Sequence, residues 1–90
     1  VLPKITHVAI RFNGVIYSLP APNRHHNVIR HIVETTGVKY VDSRGDDQGF
    51  LDEAGNYLAR RYALKVARLN GQLRLDRPII HKELYSENLW

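Results

Sequence analysis

Asn13-Gly14 lies between two runs that alternate apolar and polar residues, and no other feature of the chain restricts its fold as strongly. A two-residue hairpin loop of type I′ needs positive φ at both central positions, and Asn-Gly adopts them readily. The flanking residues therefore predict antiparallel strands over 5–12 and 15–19. In the first strand Ile5, His7, Ala9 and Arg11 share one face, while Thr6, Val8, Ile10 and Phe12 share the other. Pro20-Ala21-Pro22 ends the second strand, because proline cannot donate to a ladder.

A helix should follow. Asn23 is read as its N-cap, since a short polar side chain can accept from the free amides just downstream. The periodicity predicts a helix over 24–36, closed by Gly37 as the left-handed residue. At about 100° per residue, Val28, Ile29, Ile32 and Val33 fall on one face together with His25. Arg24 and His26 lie near the edges of that face, and Asn27, Arg30 and His31 point away. Further on, a short strand is expected over 39–42 and a polar turn over 42–47. A second hairpin should pair 48–51 with 56–58 through Asp52-Glu53-Ala54-Gly55. A second helix is predicted over 59–70, ending at Gly71. It would bury Ala59, Ala63, Val66 and Ala67, flanked by Tyr62 and Leu69, and turn Arg61, Lys65 and Arg68 outward. Asp76-Arg77-Pro78 reads as a turn, and 79–90 as an amphipathic strand or turn. These elements sum to an α+β fold in which short antiparallel β hairpins pack on two α-helices, in a single domain over 1–90.

A chain of 90 residues leaves a thin stability margin when it folds alone. It has no cysteine, so neither a disulfide nor a thiolate metal site can add to that margin. Self-association would, and at least a homodimer is expected. No apolar run approaches the roughly 20 residues of a membrane span, so no membrane partner is expected. No secretory signal pattern is present, and Val1 in first place is read as the loss of an initiator methionine or short leader. The formal net charge of +4 favours anionic partners. Nine arginines against four lysines suit phosphate, whose geometry the planar guanidinium matches.

The most informative local group is Asn23-Arg24-His25-His26-Asn27 at a helix start. Free amides and the positive end of the helix dipole attract phosphate or carboxylate there, Arg24 adds a full charge, and the histidines add donors. A capped helix with His25 as a satisfied core histidine explains the same residues without a ligand. The five histidines have no i, i+4 partner with a supporting third ligand, so no metal site and no cofactor is expected. Nucleophilic catalysis finds no support, with no cysteine, no G-x-S-x-G elbow and no phosphate-cradling glycine loop. Phe50, Tyr57, Tyr62, Tyr85 and Trp90 crowd the second half, where they could stack on bases or fill a core or an interface.

Several stretches are similar to known sequences. Tyr17-Ser18-Leu19-Pro20-Ala21-Pro22-Asn23-Arg24-His25-His26-Asn27-Val28-Ile29, then Gln48-Gly49-Phe50-Leu51, then Gly55-Asn56-Tyr57-Leu58, then Leu84-Tyr85-Ser86-Glu87-Asn88-Leu89-Trp90, resemble a group of small bacteriophage proteins. The functional family they resemble is the first Thoeris anti-defence family, the phage sponge proteins. That resemblance implies sequestration, without cleavage, of a cyclic nucleotide immune signal: a cyclic ADP-ribose isomer or a cyclic oligonucleotide. It also implies action in the cytoplasm of the infected host and a homo-oligomer, a homodimer or a larger ring such as a hexamer. Carried over by position, it assigns phosphate contact to Arg24, base stacking to Phe50 and a further contact to Arg77. Where the related proteins carry Asn-Arg at the start of the second helix, this chain has Ala59-Arg60, so one polar contact is missing. Together with the residue chemistry, the expected ligand set is Arg24, His26, Asn27, Phe50, Arg60 and Arg77, in a protein that is not an enzyme. Two rival classes remain: as runner-up a basic nucleic-acid binder using Arg61, Lys65 and Arg68, although nucleic acid is not the expected partner, and third a small phosphodiesterase.

Overall fold

The computed structural model describes residues 2–42, 47–74, 76 and 84–90. Strands β1 (Ile5–Phe12) and β2 (Val15–Pro20) form the expected hairpin. Asn13 and Gly14 take φ of 51° and 77°, the left-handed pair that a type I′ loop requires. Helix α1 (His25–Thr36) follows, then the hairpin of β3 (Gln48–Asp52) and β4 (Tyr57–Ala59), then α2 (Arg60–Leu69). A short 3-10 turn, Ser86–Asn88, lies near the C-terminal end.

The four strands make one antiparallel sheet in the order β2-β1-β3-β4. Pairing fixes which residues share a face, since partners across an antiparallel ladder project to the same side. Leu19, Val8, Phe50 and Leu58 form one such row, because Val8 pairs with Leu19 and Phe50, and Phe50 with Leu58. Val8 and Phe50 are fully buried and Leu58 nearly so. This face receives both helices, α1 against β1 and β2, and α2 mainly against β3 and β4. Val28 and Ile32 from α1, and Ala63, Leu64, Val66 and Ala67 from α2, complete the core, with Leu84 inserted between the layers.

The opposite face carries Ser18, Ala9, Gly49 and Ala59 in register. Tyr57 lies across Gly49 so closely that a Cβ there would collide with the Leu58 carbonyl oxygen and come within 2.8 Å of the Tyr57 ring. That close approach is why glycine occupies the position. Arg11 covers the same ring at 5.5 Å and reaches Asp47 at 3.3 Å.

Several expectations need correcting. The first helix is capped at Arg24, not Asn23: the Asn23 amide group instead donates to the Pro20 carbonyl at 2.8 Å. The strand expected over 39–42 does not form, although Val41 is buried. Without a pairing partner, that segment uses one apolar side chain to hold itself down. In α2 it is Leu64 that is buried, while Tyr62 and Leu69 stay exposed. The apolar stripe is therefore rotated toward Leu64 by the way the helix rests on β3 and β4. Phe50 is buried with no exposed surface, so it does not project from a hairpin rim as a stacking platform. Its register opposite Val8 directs the ring inward. Arg77 and Pro78 of the turn expected over 76–78, and residues 79–83 of the tail, lie outside the described residues.

Candidate functional site

The starts of three elements meet beside the buried Phe50. Arg24, His25 and His26 begin α1, Gln48 begins β3, and Tyr85, Ser86 and Glu87 form the C-terminal turn. Together they line an open cleft of about 380 Å³, within the usual range for small-molecule sites.

Backbone capping sets this geometry. Asn27, three residues into α1, reaches back so that its Oδ1 accepts the Arg24 amide at 2.8 Å. The turn repeats the device: Asn88 Oδ1 accepts the Tyr85 amide at 2.9 Å. The tail is then tied to the helix start, because the Trp90 indole donates to the Asn23 carbonyl at 2.8 Å. A second tie joins it to α2, where the Leu84 amide donates to the Arg60 carbonyl at 3.1 Å. Arg60 lies over the Tyr85 ring, 5.2 Å from its centre. Two chain segments far apart in sequence thus become the two walls of one cleft.

The electrostatics favour an anion at the α1 end. The first turn of α1 contains no acidic residue to offset its N-terminal dipole. Arg24 supplies a full charge, and its Nη1 is buried without a hydrogen-bond partner among the described residues. A buried cationic N–H with no acceptor is costly, and an anionic oxygen would satisfy it.

His25 forms the inner wall. Its Nε2 lies 2.8 Å from the Gly49 carbonyl, so that nitrogen carries the proton and donates. Its ring meets Phe50 edge-on, with centres 5.1 Å apart. Burial pushes its pKa down, and nearby Arg60 lowers it further; the Gly49 hydrogen bond and Glu87 oppose this without cancelling it. His25 is therefore kept neutral and acts as a positioned wall, a role legible from its place on the apolar face.

Of the residues expected to hold a ligand, Arg24 and His26 line the cleft, and Arg60 stands behind Tyr85. Asn27 does not line it; its side-chain oxygen is used in capping. Phe50 supports His25 from within the core. Sequence reasoning missed Gln48, Ser86 and Glu87 as wall residues, and offered Tyr85 only among the aromatics of the second half. The repeated pattern of an asparagine three residues after a turn start, at Asn27 and Asn88, was the available signal. Among the described residues, no group of three His, Asp or Glu side chains could hold a metal ion. Nor is any described helix long and apolar enough to cross a membrane.

Fold and site define a small α+β protein with an open, basic-ended cleft. Residues 4–90 match the model of the phage T4 y16D protein family, and the chain belongs to that family. Searches of curated proteins and of solved structures gave no significant match.

Proposed function

We propose that this phage protein binds a phosphate-bearing cyclic nucleotide in the cleft at the start of α1 and sequesters it without cleaving it. The observation that carries this reading is the buried, unpartnered Nη1 of Arg24 beside the N-terminal amides of α1. A phosphate oxygen supplies the acceptor that Nη1 lacks, and the helix dipole favours its charge. The resemblance to phage sponge proteins supports the finer reading, in which the ligand is an immune signal such as a cyclic ADP-ribose isomer or a cyclic oligonucleotide. Sequestration suits the chemistry: His25 donates to Gly49 through one nitrogen and is held neutral in a wall. The cleft is open on one side, and a second copy of the chain would enclose the ligand further.

The test is to incubate the protein with cyclic ADP-ribose isomers and cyclic oligonucleotides, remove unbound nucleotide, and heat the complex. Release of intact nucleotide is the expected result. Appearance of linear product would make the protein a phosphodiesterase. Binding only to long nucleic acid, lost steeply with salt, would move the function to the exposed Arg61, Lys65 and Arg68 face of α2.

A further inference from the structure

Two opposite charges line the cleft. Arg24 reaches it from α1 and Glu87 from the C-terminal turn. Among the described residues, neither side chain forms an ion pair with the other or with a third group. Glu87 lines the cleft together with His25, and its charge acts at the His25 ring, where it favours the proton. A ligand that is anionic throughout would be repelled by Glu87. A cationic ligand would be repelled by Arg24. The pair selects a molecule with two chemical ends: an anionic oxygen for the guanidinium and N–H donors for the carboxylate.

We infer that the donor end is a guanine base read by Glu87 while Arg24 holds a phosphate of the same ligand. This rests on the nucleotide reading above and narrows it. An ionised carboxylate only accepts hydrogen bonds. Guanine presents N1–H and the N2 amine side by side, which lets both carboxylate oxygens accept in parallel, a charge-assisted arrangement. Adenine offers one amine hydrogen beside the N1 lone pair, and that lone pair repels a carboxylate. Hypoxanthine keeps N1–H but lacks the amine, so it should fall between them. Among cyclic signals, this favours guanine-bearing oligonucleotides over cyclic ADP-ribose, whose base is adenine.

Calorimetric titration with 3′,5′-cyclic GMP, cyclic IMP and cyclic AMP isolates the base, because the three share sugar and phosphate. The parent protein should prefer cyclic GMP to cyclic AMP by roughly 5- to 150-fold, the range of one bidentate contact to a base edge. Glu87→Gln should erase that preference and raise cyclic AMP affinity, since a glutamine amide both donates to N1 and accepts from the N6 amine. Glu87 is exposed, so this variant should melt as the parent does. Arg24→Gln should weaken all three ligands by a similar factor. Equal binding of cyclic GMP and cyclic AMP, with both weakened by Arg24→Gln, would overturn the guanine assignment and leave the phosphate site standing. No binding of any of the three by folded protein would overturn both.

Discussion

Phe50→Ala separates a core role from a ligand role, and the structure assigns the core. The ring has no exposed surface, pairs in register between Val8 and Leu58, and takes the edge of His25 at 5.1 Å. Truncating such a phenylalanine costs about 3–5 kcal/mol in transfer and cavity terms. A domain of this length has a total stability of roughly 5–13 kcal/mol. The variant should therefore lose about a quarter or more of its stability, and its urea midpoint should fall in proportion. Far-UV circular dichroism and the fluorescence of Trp90, the single tryptophan, report the sheet and the tied tail separately. Both should shift together, as expected for one cooperative unit. A stability within about 0.5 kcal/mol of the parent would place Phe50 outside the core and refute the register argument.

Gly49→Ala should destabilise by about 1–3 kcal/mol, because its Cβ would collide with the Leu58 carbonyl and the Tyr57 ring; an unchanged melting temperature would refute that close approach. His25 titrates at its ordinary value of 6.5 when unfolded and lower when folded. The stability this gives is fully present above about pH 6.5 and falls as pH drops through the folded value. Between about pH 7.5 and pH 5.5 the parent should therefore lose more melting temperature than His25→Gln, and equal losses would deny the burial of a neutral ring. Sedimentation at micromolar concentration should show a homodimer or larger ring, and a lone 10.4 kDa species would count against the shared-pocket reading.

The hairpins and helices were legible because their signals are local. Asn13-Gly14 can form little but a tight hairpin, and Val28 with Ile32 marks one face of α1. Gly37 ends that helix with φ of 76°. The direction of Phe50 was not legible. It depends on which residue of β1 faces β3, and a shift of one position in that register would have turned the ring to the other face. A bulge between Ile5 and His7 resets the pairing, and no sequence pattern announces it. The helix start was found, with Arg24 and His26, because capping chemistry is local. The other wall was not, because Tyr85 and Glu87 reach the cleft through contacts spanning most of the chain, chiefly Trp90 to Asn23.

Amide chemical-shift mapping with isotope-labelled protein tests the central claim most directly, using 3′,5′-cyclic GMP as the titrant. The cleft account expects the largest shifts at residues 24–28, 48–49 and 85–88, with the Arg24 side-chain resonance moving as its Nη1 gains an acceptor. In Arg24→Gln the same shifts should shrink at equal ligand concentration. Shifts confined to the outer face of α2, around Arg61, Lys65 and Arg68, or unchanged by Arg24→Gln, would contradict it.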